Sequence, residues 1–471
     1  MNRVSALIMM LILAGCSLHK PTEVRLSVEL PQEFLEQQMT GETRSLPGQW
    51  WLAFEDEQLN QLMTELFQQN LELTQAVARL EQVEAMARIT RSAESPFLSG
   101  GGNVGRSSQP GLLDDFIGNN QQLSLAAGYE LDLWGKLSAQ SRAAELELSA
   151  SRQDMQTLYL GLSARLADLY FLAIEQRAQL ALTDQSIASF ADTLLRVENR
   201  YNLGLVPAVD MYQARQSLAG AQAARYLFEA SLGEVEHAIA VLIGRYPERS
   251  PGGSLEQLPG APDLFDAGIP AELISQRPDL QAALQRVEAA DYRVAAAIAD
   301  RFPSISLSGG YGSLRQDVTA GLIKGEFWSL LGNLAMPLVD GGRRRAEVDR
   351  KEAALREAVA NYQQKVLTAF QEVEDALVNN YATEQRVERL AETAQATGAT
   401  LRLSTDRYLA GLVDYLPVLT AQRTDFDVSS RLLAARRQLL AERISLARAL
   451  GGDWMRNQMN SRLQIEEDEK Q

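Results

Sequence analysis

Few residues in this chain have types and spacings that could do chemistry, and the first is Cys16. It is the only cysteine, and it follows Leu13-Ala14-Gly15 at the end of an apolar run from Val4 to Leu13, itself preceded by the charged Arg3. About ten apolar residues are signal-peptide length and too few to span a bilayer. Small residues directly before a cysteine there read as a bacterial lipoprotein cleavage box, after which Cys16 becomes the acylated first residue, with palmitate among the expected acyl groups. The bland alternative is an ordinary signal peptide with an incidental cysteine. Ser17, not Asp, follows Cys16, and in bacterial lipoproteins that favours passage to the outer membrane. With one cysteine in an exported chain no intramolecular disulfide can form, so stability must come from packing.

The other candidates carry less. His19 and His237 are the only histidines, lie far apart, and form no metal spacing with Cys16. Gly100-Gly101-Gly102 lacks the Lys-Ser/Thr of a phosphate loop and reads better as strand or strand entry. Arg343-Arg344-Arg345 is either a contact for anionic lipid headgroups or a solvated helix start. No arrangement of nucleophile, base and oxyanion donors is visible, so no enzyme activity, cofactor or metal is expected. A formal charge of −16 argues against nucleic-acid binding and for solubility in an aqueous compartment. Beyond the leader no stretch of eighteen apolar residues is found, and any membrane crossing is expected to use β-strands.

The elements that position these residues come in two copies. Leu73, Arg79, Glu81, Pro96, Ser99, Gly102 and Gly105 recur 207 residues later as Leu280, Arg286, Glu288, Pro303, Ser306, Gly309 and Gly312. Gly135, Asp168, Tyr201, Gly204, Leu205, Val206, Ala214 and Gly244 likewise recur as Gly342, Asp375, Tyr408, Gly411, Leu412, Val413, Ala421 and Gly451. Solenoid units run roughly 20 to 50 residues, so this period marks half a fold, duplicated. The expected organisation is a leader over 1–15, an N-terminal tether over 16–55, a first repeat over 56–244 (helix, two strands, long helix, helix), a linker over 245–272, a second repeat over 273–451 and a polar tail over 452–471.

Most of each copy reads as helix, because Ala, Leu, Glu, Gln and Arg dominate and interior Gly and Pro are scarce over 137–200 and 343–407. Ile187, Phe190, Leu194, Val197 and Tyr201 are spaced as a coiled-coil seam, against Ala394, Thr397, Leu401, Ser404 and Tyr408 in the second copy. Single helices are expected from about Asp56 to Arg91 and from about Ala208 to Ile243, with one of roughly 95 Å from Lys136 to Arg200. Into this background each half inserts two segments of period two. Leu125, Ala127, Tyr129, Leu131 and Leu133 alternate with polar or small residues, as do Ile305, Leu307 and Tyr311, and Trp328, Leu330, Leu334 and Met336. With aromatics near their ends (Phe97, Trp134, Phe302, Trp328), such segments suit tilted outer-membrane barrel strands; a soluble hairpin is the alternative. Four strands cannot close a barrel, and an open edge in lipid costs several kcal/mol per unpaired group. Two chains would give eight strands and a filled interior; three would give twelve and a passage, so a homotrimer is expected.

At Ile269-Pro270-Ala271-Glu272-Leu273, Arg277-Pro278-Asp279-Leu280, Val287-Glu288-Ala289-Ala290 and Arg301-Phe302-Pro303, and at Trp50-Trp51 with Phe54, Asp56, Leu59 and Leu62, the chain resembles the outer-membrane factor family. These are the TolC-like exit ducts of efflux pumps and type I secretion, and the likeness is to their lipoprotein branch. The resemblance implies a mainly α fold with membrane β: a duplicated TolC-like fold, a long coiled-coil α-barrel tunnel, and four strands per chain of a shared twelve-stranded trimeric β-barrel. It also implies a lipid-anchored and integral protein of the cell outer membrane, extending into the periplasm. Implied partners are outer-membrane lipid, a periplasmic membrane-fusion adaptor and an inner-membrane drug transporter, the chain itself being a passive efflux channel. Secretion of protein or oligosaccharide, and a lipid-tethered coiled-coil scaffold, are the alternatives.

Both long helices end in one turn sequence, with Tyr201, Gly204, Leu205 and Val206 in one copy and Tyr408, Gly411, Leu412 and Val413 in the other. Glycine stops the helix there, Pro207 suits the start of the returning helix, and the apolar residues of the turn would be exposed to a partner. The resemblance makes these turns the periplasmic tip, which meets the adaptor and closes as an iris. Tyr408 and Asp210 match a tyrosine and an aspartate that hydrogen-bond between helical pairs in TolC-like channels. Val413 stands where a latch arginine can occur and Thr420 where a constriction aspartate is usual, with Asp414 nearer the tip. Asp210, Tyr408 and Asp414 are therefore the expected gate residues.

Overall fold

The computed structural model describes residues 19–20, 31–36, 43–44, 48–109, 116–249, 257–318, 321–452 and 454–469. The leader and Cys16 lie outside the described residues. In chain order the elements are β1 (Thr43–Arg44), a 3₁₀ turn (Trp50–Phe54), α1 (Glu57–Gln69), α2 (Leu71–Ser92), β2 (Phe97–Gln109), β3 (Phe116–Leu131), α3 (Lys136–Asn202) and α4 (Ala208–Leu242). There follow β4 (Leu264–Phe265), α5 (Pro270–Gln276), α6 (Pro278–Ala299), β5 (Ser304–Val318), β6 (Gly321–Ala335), α7 (Arg343–Leu409), α8 (Tyr415–Leu450) and α9 (Trp454–Glu469). The long helices α3 and α7 are both 67 residues and start 207 positions apart. Two compact units emerge, each drawing on both repeats: one from Ala78–Gln153 and Gln281–Lys365 with His19 and Lys20, the other from Asp154–Leu280, the described residues from Val366 onward, and those between 31 and 77.

In the first unit β2, β3, β5 and β6 form one antiparallel sheet in that order. Register sorts the side chains. One face carries the rows Gly100–Leu125–Tyr311–Trp328, Leu98–Ala127–Gly309–Leu330 and Leu131–Ile305–Leu334, almost wholly apolar. The other carries Ser99–Ala126–Gly310–Ser329 and Glu130–Ser306–Asn333, small and polar. On that second face Phe97 lies over Gly128 and Phe327 over Gly312, where an added Cβ would fall 2.5 and 2.6 Å from ring carbons. Trp328 lies within β6 and not near a strand end, because β6 begins at Gly321, earlier than its alternation suggested. Below the sheet Trp134 Nε1 donates to the Pro303 carbonyl (2.7 Å) and its ring meets Phe302 at 5.1 Å. Helix α3 is started by Asp132, whose carboxylate accepts from the amides of Leu137 and Ser138 (3.0 and 2.8 Å), taking up orphan N–H groups of the first turn.

The second unit breaks a helix that the sequence reads as continuous. Asn70 is extended between α1 and α2; its side chain accepts from Leu73 N (2.9 Å) and donates to the Leu242 carbonyl (2.7 Å). One period later Arg277 separates α5 from α6 and donates to the Ala449 carbonyl (3.0 Å), while also gripping Asp279 (2.8 Å) and Glu372 (2.6 Å). Both breaks admit a glycine beside them: Gly244 (φ +80°) and Gly451 (φ +79°), where a Cβ would stand 2.4 Å from Gln69 O and 3.3 Å from Gln276 O. The break is thus a duplicated joint in which a helix-ending side chain reaches the carbonyl of the returning helix. Local propensity alone does not reveal it, since Asn70 sits among good helix formers.

The ends dock on this unit. Glu374 accepts from the amides of Leu35 (2.8 Å) and Glu36 (3.1 Å), and Phe34 is buried against Phe370. Residues 454–469, read as a polar tail, form α9, because Trp454, Met455 and Met459 supply a buried face and Trp454 meets Trp51 at 4.8 Å. Arg462 then donates to the Phe67 carbonyl (2.6 Å), one of the acceptors left free where α1 stops. β1 and β4 pair in parallel, joining the N-terminal segment to the linker.

The copies diverge in one buried ion pair. Arg177 of α3 meets Glu236 of α4 (2.9 Å), whereas one period on the signs invert: Glu384 of α7 meets Arg443 of α8 (3.3 Å). One window of α3 is long and apolar enough by composition to cross a membrane, contrary to the sequence expectation, but 61% of it is buried within the protein, as a core helix requires.

Candidate functional site

The two helical hairpins end in matching turns. Gly204 (φ +72°) and Gly411 (φ +74°) take the left-handed conformation; Leu205 N donates to Arg200 O and Leu412 N to Arg407 O, both at 2.9 Å. This is the glycine-terminated helix stop, and it satisfies carbonyls that the last turn leaves free. Pro207 and Asp414 occupy the caps that open α4 and α8, neither with a side-chain capping bond.

Behind the turns lies an apolar cluster of Val197, Ala214, Tyr408, Tyr415, Val418 and Leu419, with Leu194, Val206, Met211 and Val413 against it. The apolar turn residues therefore divide. Leu205 and Leu412 are exposed, but Val206 and Val413, expected to be exposed too, are partly buried because the backbone after each glycine turns them inward. The equivalent tyrosines also part company: Tyr201 is 39% exposed and Tyr408 only 3%. The cause is Tyr415, which packs its ring 5.9 Å from that of Tyr408 and stands where the first copy has Ala208.

The hydroxyls of Tyr408 and Tyr415 are buried with no hydrogen-bond partner within the chain. Tyr408 is engaged otherwise. Arg200 donates from Nη1 to its carbonyl (2.8 Å), with the guanidinium carbon 4.7 Å from the ring centre. Burial pushes the Tyr415 hydroxyl up to about 12, helped by Tyr408 and Asp210, and raises Tyr408 despite the opposing charge of Arg200. Asp210, in the first turn of α4, is half-buried and its carboxyl is raised, first by burial and then by Asp414. Asp414 and Thr420 are exposed. Further along, Gln422 of α8 donates to Thr193 (2.8 Å) and Ser189 (3.2 Å) of α3, tying the hairpins side to side.

The expected gate residues Asp210, Tyr408 and Asp414 thus come to one place, with electrostatic coupling and without a Tyr408 hydroxyl bond. Sequence reading passed over Arg200 and Tyr415. The signal for Tyr415 was the mismatch with Ala208 inside an otherwise repeated turn; Arg200 has the equivalent Arg407 and no local mark. The other candidates lie elsewhere. His19 pairs with Asp291 (2.9 Å), His237 is exposed, and Arg344 is held by Asp300 (3.0 Å) and Asp340 (3.4 Å), leaving Arg343 and Arg345 exposed. Among the described residues no group of three or more His, Cys, Asp or Glu is placed to hold a metal ion.

Known proteins share this architecture. The outer membrane efflux protein family model matches residues 62–245 and again 269–452, one match for each repeat. The outer membrane protein OprJ of Pseudomonas aeruginosa is 30% identical over 463 residues, covering 96% of each chain. The toluene efflux pump outer membrane protein TtgF of Pseudomonas putida is 29% identical over 420 residues, 88% of this chain and 87% of its own. The solved outer-membrane channel OprN superposes with a TM-score of 0.85 at 26% identity, over 93% of this chain and all of its own. With both halves matched and the sheet, long hairpins and end turns in place, the chain belongs to the outer membrane efflux protein family.

Proposed function

We propose that the protein is the passive trans-periplasmic exit duct of a tripartite efflux system, releasing drugs and other toxic small molecules across the outer membrane. The observation that carries this reading is the sheet. β2 and β6 are its edges, each paired on one side only among the described residues, and one face is apolar from Leu98 to Leu334. In hydrocarbon such edges must be paired, and the partner that fits a duplicated hairpin is the same sheet in another copy. Three copies supply twelve strands with the face richer in small and polar residues inward, which leaves an aqueous passage. The homotrimer would be tethered through acylated Cys16. Its hairpin turns, with Leu205 and Leu412 outermost, would receive a periplasmic adaptor that opens the duct, and an inner-membrane transporter would supply the energy. The role is conduction and not catalysis.

Two measurements test the reading. Purified protein in a planar bilayer should give discrete conductance steps, and a strain lacking it should accumulate dyes, bile salts and antibiotics. A water-soluble monomer without conductance would end it.

A further inference from the structure

Tyr408 is held from the first repeat, by a group that nothing in the repeat pattern distinguishes. Arg200 lies in the last turn of α3, where a basic residue ordinarily serves its own helix end. Here its Nη1 donates at 2.8 Å to the carbonyl of Tyr408, 208 positions away. That carbonyl also accepts from Gly411 N (2.9 Å), so one oxygen carries both the turn and the cross-hairpin contact. The guanidinium sits 4.7 Å from the Tyr408 ring centre, and Nη2 falls 4.0 Å from where a Cβ on Gly411 would be. Arg200 Nε and the hydroxyls of Tyr408 and Tyr415 are buried without partners, so within the chain no hydroxyl bond holds the tyrosine. The equivalent Arg407 is exposed, and Ala208 replaces Tyr415 in the first copy, so the contact is not repeated at the first copy's turn.

We infer that Arg200 is the positioning residue of the gate: its guanidinium, bonded to the Tyr408 carbonyl and seated on the Tyr408 ring, ties the second hairpin's turn to the first, and opening breaks this contact. That the tie governs a passage rests on the duct reading above. The contact itself does not. A hydrogen bond from a charged donor with a cation–π contact shifts an equilibrium by about 10- to 100-fold, so its loss should be visible in the tip population.

The test uses the full-length protein in two assays. In planar bilayers Arg200→Gln should raise open-channel conductance or open probability at least about threefold, with Arg200→Lys between it and wild type. Arg407→Gln, which alters the exposed equivalent, should stay near wild type, and Tyr408→Phe, which keeps the carbonyl and ring that Arg200 holds, should shift opening less than Arg200→Gln does. The second assay needs no pore: trypsin cleavage after Arg407, followed by mass spectrometry, should quicken about tenfold in Arg200→Gln, in line with that shift. Faster cleavage in a protein that never conducts would uphold the tie and remove the duct reading. Wild-type conductance and cleavage in Arg200→Gln, or opening by Tyr408→Phe as large as by Arg200→Gln, would overturn the tie and leave the duct reading standing.

Discussion

Replacing Arg177 with methionine should loosen the second unit far more than Glu384→Gln at its repeat equivalent. Arg177 and Glu236 are both buried, with side chains 9% and 5% exposed, so losing the arginine strands a carboxylate away from water. Breaking a buried pair in this way costs about 3–5 kcal/mol. Glu384 is 55% exposed, and Arg443 keeps the Asn380 side-chain oxygen (2.6 Å) and the Pro262 carbonyl (3.0 Å) when it goes. Glu384→Gln should therefore cost less than about 1 kcal/mol. Unfolding at a fixed guanidinium concentration, followed by far-ultraviolet circular dichroism, separates the two. If half of a ~4 kcal/mol loss appears in the unfolding rate, Arg177→Met unfolds about 30-fold faster, and if all of it does, nearly 1000-fold. Arg177→Met with Glu236→Leu should recover to within a few-fold of wild type, since a buried pair replaced by apolar groups is close to neutral. Equal rates for Arg177→Met and Glu384→Gln would show that burial does not set the strength of these pairs.

Three further outcomes are expected. Gly244→Ala, at φ +80° with its new Cβ 2.4 Å from Gln69 O, should speed unfolding strongly in the same assay, whereas Gly204→Ala, at φ +72° in open space, should cost only about 1–2 kcal/mol of backbone strain. The Asp210 carboxyl is raised in the folded tip, so the packing seen there is most stable below the ordinary carboxylate range and loses that stability as pH climbs through the raised value. Conductance should accordingly rise as pH climbs above the ordinary carboxylate range, and Asp210→Asn should flatten the profile. Leu330→Arg, on the apolar face of β6, should cost about 2–4 kcal/mol in lipid and reduce the membrane-inserted fraction, while Ser329→Arg on the opposite face should alter ion selectivity with little loss of insertion.

Chain order and spacing alone determined the duplication, the two long helices, the four strand segments and the glycine turns, because these rest on periodicity within a few residues or on direct comparison of the copies. Local spacing could not disclose the joints at Asn70 and Arg277, since each exists through a carbonyl on a helix 172 positions away. The same limit hid α9, whose helix is secured by Trp454 and Arg462 against Phe67 of the first repeat. Tertiary structure alone decided which equivalents behave alike: it buried Tyr408 and exposed Tyr201, turned Val206 and Val413 inward, and set Arg200 on Tyr408. The reason is geometric. A duplicated sequence prescribes two similar hairpins, but when they lie side by side each faces different neighbours, and only that packing assigns a side chain to solvent, core or tie.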